Sequence, residues 1–254
     1  MSEGRSGSQL WALTAVLGLA ALGCVLLYAL RVAVSGRIWY LYLVFNLALA
    51  AVPYIVAVAG TVALRRLGRQ KARALVALPV AALWLLFYPN APYIFTDFIH
   101  VVERTYLRAV PEDALRVNAL LWYDLLMTAA FAFIGHFMGL VSMWFIHDSL
   151  RRVWGKAAAA CLILAASLLA GFGIYLGRFS RLNSWDALLN PRRVLSEVVG
   201  AAADLKTLLF SLAFMLFIVS SYAALVVFKR VLSPGEGLKE SRDGARGKVP
   251  SKSP

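Results

Sequence analysis

Residues 74–100 read ALVALPVAALWLLFYPNAPYIFTDFIH. No charge interrupts the stretch from Ala74 to Thr96, and about 20 apolar residues suffice to cross a hydrocarbon core. The end of the run is what needs explaining. A helix that simply stops at an interface needs one proline. Here Pro89 and Pro92 flank Asn90, and Asp97 and His100 follow. Each proline lacks a backbone donor and clashes with the carbonyl four residues earlier, so the carbonyls of Leu85 and Tyr88 are expected to leave the helical ladder. At membrane depth such groups need partners or a wet cavity. A break between Leu85 and Tyr93, with Asn90 donating to freed backbone, is therefore expected. The plainer alternative is a helix that ends at the interface.

Working outward, five further segments are long and apolar enough to span: 10–33, 39–64, 117–146, 157–177 and 206–229, beside 74–95. Hydrophobic residues make up 61% of the chain and charged ones 15%, whereas a soluble domain is about half apolar and a quarter charged. The expected fold is an all-α polytopic membrane bundle of six helices. The run from Leu10 to Leu30 is long for a cleaved signal and reads as the first anchor. Cys24 and Cys161 lie inside apolar runs, which argues against a disulfide framework or a thiolate metal site. No internal repeat is visible.

The net charge of +13 points to lipid headgroups rather than to nucleic acid in a chain this apolar. Of the 26 Lys and Arg residues, 16 fall on the side of the N-terminus, the 65–73 loop, the 147–156 loop and the tail, and 10 fall on the other. Basic residues accumulate in cytoplasmic loops, so both termini are expected in the cytoplasm of a bacterial inner membrane. Residues 1–230 form the membrane domain. Residues 231–254 form a basic tail without apolar periodicity, expected to be disordered.

This topology gathers three polar motifs at the extracytoplasmic end: the one beginning at Tyr88, WYD at 122–124, and GRFSRLNSWDALLNP at 177–191. If a helix resumes at Tyr93, then Asp97, His100 and Arg104 share a stripe, with Thr96 beside it. A carboxylate one turn from an imidazole makes a usable general base or half of a metal site; a structural pair capping a juxtamembrane helix is the more common use. Asp124 shares a stripe with Thr128, Ala132, Gly135, Gly139 and Ser142, small residues that let helices approach. It therefore points into the bundle, where a salt bridge to Arg178 or Arg181 would compensate for its burial. Those two arginines form an anion clamp or meet lipid headgroups. Asn183 and Asp186 resemble a capping box, and Asn190-Pro191 opens a further helix. His136 is best read as a packed neutral histidine. No Gly-rich phosphate loop, HExxH or nucleophile elbow occurs.

The combination of PNAPYIFTDFIH with WYD and GRFSRLNSWD resembles the family called domain of unknown function 1361, from about Val32 to Lys229. The resemblance implies a bacterial integral membrane protein and supplies no activity. Tyr88 stands where a bulkier aliphatic is expected.

A polar pocket lined by Asn90, Thr96, Asp97, His100, Asp124, Arg178, Arg181, Asn183 and Asp186 is the expected site. In the leading reading it belongs to a membrane-embedded enzyme for a lipid-borne or anionic substrate. His100, Asp97 and Asp124 would be catalytic, with Arg178, Arg181, Asn183, Asp186, Asn90 and Thr96 holding substrate. A small proton-coupled transporter or channel, or a non-catalytic assembly subunit, are the alternatives. Membrane lipids are the expected partners, nucleic acid is not, and the sequence names no cofactor.

Overall fold

The computed structural model describes residues 2–107 and 119–232, with side chains from Leu10 to Glu103 and from Ala119 to Val231. The helices are α1 (Ser2–Ser35), α2 (Leu41–Arg66), α3 (Gln70–Phe87), α4 (Asn90–Tyr93), α5 (Phe98–Leu107), α6 (Ala119–Trp154), α7 (Lys156–Phe179), α8 (Asp186–Leu189), α9 (Pro191–Ala202) and α10 (Leu205–Leu232), with a 3-10 turn at Ile94–Asp97. No strand occurs among the described residues. Six helical segments are long and apolar enough to cross a membrane: Leu10–Ser35, Leu41–Arg66, Gln70–Glu103, Ala119–Trp154, Lys156–Phe179 and Leu205–Val231. The chain is an all-α integral membrane bundle. Beyond Leu232 the expected tail lies outside the described residues, as do residues 108–118 of the 96–116 loop.

The sequence pattern of α2 explains the centre of the bundle. Leu43, Leu47, Ala50, Tyr54, Ala57, Thr61 and Leu64 are all buried, at alternating steps of four and three. That seam lets knobs pack along the length of a partner helix. The partner is α6, buried continuously from Met138 to Met143. Its small residues permit close approach: a methyl on Gly135 would sit 3.3 Å from Ala50 Cβ of α2 and 2.6 Å from Ile94 Cδ1 of the 3-10 turn, and one on Gly139 would sit 2.6 Å from Ala91 Cβ of α4. α7 and α10 pair in the same way, since a methyl on Gly171 would lie 2.4 Å from the Ser211 carbonyl oxygen. α1 and α10 are peripheral and show most of their surface to lipid.

The expected interruption between Leu85 and Tyr93 is present: α3 ends at Phe87 and α4 begins at Asn90, with the Asn90 amide donating to the Phe87 carbonyl. Two details are corrected. The chain at the break does not open out. Tyr88 (φ −56°, ψ −38°) and Pro89 (φ −55°, ψ −28°) keep right-handed helical angles. One step instead tightens: Ala91 N–H donates to the Tyr88 carbonyl three residues back at 3.1 Å, while Tyr93 N–H keeps the ordinary four-residue bond to Pro89 at 3.0 Å. Proline's fixed φ is itself helical, and a three-residue step satisfies the carbonyl that Pro92 leaves unpaired. Second, residues 147–156 are mostly not a loop. α6 continues to Trp154, helped by Asp148, which pairs with Arg151 at 3.1 Å and Arg152 at 2.7 Å across one turn. The chain reverses only at Gly155, whose φ of 92° suits a residue without a Cβ.

Candidate functional site

The end of the bundle that holds residues 88–100 also receives the start of α2, the start of α6, the end of α7, and the α8–α9 excursion. Two separate polar clusters form there.

The first is built on Asp97, only 1% exposed at the end of the 3-10 turn. Asn46 of α2 donates its side-chain amide to Asp97 Oδ2 at 2.6 Å. Arg178, from the last turn of α7, places Nη1 3.4 Å from Asp97 Oδ1 and donates Nη2 to the Thr96 carbonyl at 2.8 Å. The same Nη2 lies 3.3 Å from His100 Nε2. His100 sits one turn beyond Asp97, its Nε2 4.0 Å from Asp97 Oδ1 and its Nδ1 3.4 Å from Glu103 Oε2. Its imidazole packs edge-on to Tyr42 with centroids 4.8 Å apart. The Thr96 hydroxyl turns back to the Tyr93 carbonyl at 2.7 Å. Three elements are thereby tied to one buried carboxylate whose lone pairs meet a guanidinium and an amide, the requirement for keeping a charge at this depth.

The second cluster corrects the reading of Asp124. Its side chain does point inward, at 6% exposure, but its partner is neither Arg178 nor Arg181. Arg31 of α1 donates Nε to Oδ1 and, at 3.0 Å, Nη2 to Oδ2, and the Tyr40 hydroxyl donates to Oδ2 at 2.8 Å. This fork-to-fork pair belongs to the α1–α2–α6 seam, apart from the cavity described next. Asp124 does not line that cavity. Arg31 lies inside the first expected span, 10–33, yet the sequence reading counts it only with the basic residues of the loop that follows; the helix runs through it to Ser35. Asn46 also went unnoticed, although an amide in the middle of an apolar run is a signal in its own right.

Beside the first cluster lies an open cavity of about 410 Å³, roofed by α8 and the start of α9. Its walls are apolar, with Phe45, Leu49, Leu86, Leu176 and Val194 among them. Its polar lining includes Asn46, Asn90, Tyr93, Arg181, Asn183 and Ser184. Asn90 spans two elements, donating its amide to the Phe87 carbonyl at 2.8 Å and to the Ser184 hydroxyl at 3.0 Å. Asp97, His100 and Arg178 do not line this cavity, so Asn46 is the bridge between it and the charged cluster. Arg181 adopts left-handed backbone geometry, φ 54°, which is rare for a residue with a side chain. The resulting turn lets Leu182 N–H reach the Leu176 carbonyl at 3.2 Å. Arg181 is exposed and has no acidic partner among the described residues. Asn183 and Asp186 make the expected local bond, Asn183 N–H to Asp186 Oδ2 at 2.7 Å. That backbone donor, followed by the Asn190 and Asn183 side chains, outweighs burial and holds the Asp186 carboxyl below its ordinary 3.8. Asp186 is thus occupied in capping, and Asn183 shares in that bond.

No group of three or more His, Cys, Asp or Glu side chains converges as a metal cage would require among the described residues. His136 is buried, stacked on Phe217 with centroids 4.6 Å apart and edge-on to Phe95 at 5.5 Å. Neither of its ring nitrogens has a hydrogen-bond partner there.

Bundle and site together define a multi-pass α-helical membrane protein with a polar cavity at one end. The chain belongs to the family described as protein of unknown function (DUF1361), whose model matches residues 45–221. The match takes in Asn46, Asn90, Asp97 and Arg181, and leaves Arg31 and Tyr40 outside it. No curated protein and no solved structure matches the chain.

Proposed function

We propose that the protein binds an anionic amphiphile, a lipid-borne substrate or ligand, in the cavity under α8 and α9. The observation that carries this reading is Arg181. It is a guanidinium at the rim of a cavity of about 410 Å³, without an acidic partner among the described residues. Asn90, Asn183 and Ser184 offer further polar groups near it, and Leu49, Leu86, Leu176 and Val194 offer an apolar wall. A few directional polar groups above an apolar wall suit a ligand with an anionic head and a hydrocarbon body. The 16-to-10 split of basic residues supports an extracytoplasmic position for this end.

The test is a photo-crosslinking amino acid at Val194 in protein reconstituted with a total bacterial lipid extract. An anionic lipid adduct is expected, falling about five- to tenfold in Arg181→Gln, as expected when one charged contact is lost. An adduct whose amount and headgroup are unchanged by Arg181→Gln would remove the reading.

A catalytic version rests on His100. Its side chain is 36% exposed and lies between Asp97 and Glu103, a setting for a general base at the rim of the site. If the bound amphiphile is converted there, cells producing His100→Gln will accumulate a headgroup species that wild-type cells consume. Identical lipid profiles would leave a binding role alone.

A further inference from the structure

The opposite end of the bundle holds a larger cleft that the proposed site does not use. It has a volume of about 1080 Å³ and opens between α1 on one side and α2 and α6 on the other. α1 meets α2 there through a hydrogen bond between the Thr14 and Tyr54 hydroxyls, at 2.7 Å. A second polar contact, Thr61 to Ser149 at 3.1 Å, ties α2 to α6. Between these crossing points and the rim the lining is apolar, including Leu10, Trp11, Ile55 and Val58. Trp11 is 74% exposed and Ile55 61%, so this apolar surface is open to whatever surrounds the protein.

The rim has one dominant sign. Arg65, Arg66, Arg73 and Arg152 line the cleft against a single carboxylate, Asp148. That carboxylate is already held by Arg152 and Arg151 on its own helix, at 2.7 and 3.1 Å, so it cannot also neutralise the arginines across the cleft. Arg66 has no acidic partner among the described residues. Arg73 is anchored by Nε to the Leu67 carbonyl at 2.7 Å, which fixes its guanidinium while its two terminal nitrogens remain without a partner among the described residues. A fixed, half-buried guanidinium surrenders little rotamer freedom on binding an anion.

We infer that this cleft is a binding site for one anionic glycerophospholipid, with its phosphate between Arg66 and Arg73 and an acyl chain against Leu10, Trp11 and Ile55. Charge complementarity selects the occupant. A basic rim above an open apolar wall matches a phosphate joined to hydrocarbon, and basic pockets between membrane helices take such headgroups. A zwitterionic lipid would bring its own cation into a rim that already carries four, and a soluble phosphate would leave the apolar wall uncovered.

The test is native mass spectrometry of the full chain in detergent, with equimolar synthetic phosphatidylglycerol and phosphatidylcholine added. Wild type is expected to retain phosphatidylglycerol preferentially. Each removed guanidinium should lower that preference about fivefold, the equivalent of about 1 kcal/mol at 1.4 kcal/mol per tenfold, so R66Q/R73Q should lower it about 25-fold. R66K/R73K, which keeps the charge, should retain most of it and reports on folding as well as binding. The comparison is repeated in an Arg181→Gln background, which removes the charge of the cavity under α8 and α9, and Arg192→Gln, which lines neither cavity, is the charge control and should leave this adduct in place. Equal retention of the two lipids by wild type, or a preference that survives in R66Q/R73Q, would overturn the inference. So would a preference lost equally in R66K/R73K and R66Q/R73Q while helicity is intact.

Discussion

Asp124→Asn should be among the most destabilising single changes in the bundle. The substitution keeps the shape of the side chain and removes its charge. Arg31, 3% exposed, then remains buried with no carboxylate, and its Nη1 already lacks a partner among the described residues. Breaking a buried pair on one side costs about 3–5 kcal/mol, because the surviving charge is uncompensated. The Tyr40 hydroxyl, which donates to Asp124 at 2.8 Å, can still donate to the amide oxygen, so little is added on its account. For a chain of this size about 2–4 °C of midpoint accompanies each kcal/mol, so a fall of roughly 10 °C in the thermal midpoint is expected by size-exclusion stability assays in mild detergent. The double variant Arg31→Leu/Asp124→Leu should recover most of that loss, since replacing both charges by apolar groups removes the desolvation cost as well as the attraction. Arg192→Gln on the exposed face of α9 is the control. A fall no larger than the control's in Asp124→Asn, or additive losses in the double variant, would refute the pairing of α1 with α6 described above.

Arg178→Ala strands Asp97 in the same manner. It should cost about 3–5 kcal/mol, only partly recovered by Arg178→Lys because an ammonium cannot fork to both Asp97 and the Thr96 carbonyl; the thermal midpoints of the two variants check this. Gly171→Ala puts a methyl 2.4 Å from the Ser211 carbonyl oxygen, a backbone atom that cannot swing away. It should lower stability by about 1–3 kcal/mol, whereas Gly18→Ala, with nothing within 4 Å, should be neutral or slightly stabilising in the same assay. The Asp186 cap should depend on pH. Because the folded carboxyl lies below its ordinary 3.8, its stabilisation is present above that value and is lost as pH falls through the lower folded one. Amide exchange at Asn183 should accelerate over that acid range, and Asp186→Asn should remove the pH step.

The spans were legible because hydrocarbon thickness and apolar run length are coupled by simple geometry. The inward direction of Asp124 was legible too, since a stripe of small residues identifies the packed face of α6. Its partner was not. Helical periodicity assigns a residue to a face but says nothing of which neighbouring helix lies opposite, so Arg31, although inside the first expected span, could not be matched to Asp124. The double proline was legible as an interruption, since α3 ends at Phe87 and α4 starts at Asn90. Its tightness was not: the bond from Ala91 N–H to the Tyr88 carbonyl, three residues back, fills one of the gaps while the backbone keeps helical angles.

Correct pairing changes the meaning of the remaining charge. On the sequence alone, Asp97 and Asp124 faced Arg178 and Arg181 as two acids against two bases, a set that could have quenched itself. In the structure α1 contributes a third base. Asp124 is saturated by Arg31 and Tyr40, Asp97 by Arg178 and Asn46, and Asp186 is held by the Asn183 backbone. Arg181 is left over, turned by its left-handed backbone to the rim of a cavity rather than towards any of these carboxylates. In water a surplus guanidinium would mean little. Beside an apolar wall the exposed guanidinium of Arg181 offers one ligand a charged contact and a hydrocarbon contact together, and that combination is what makes an anionic amphiphile the expected occupant.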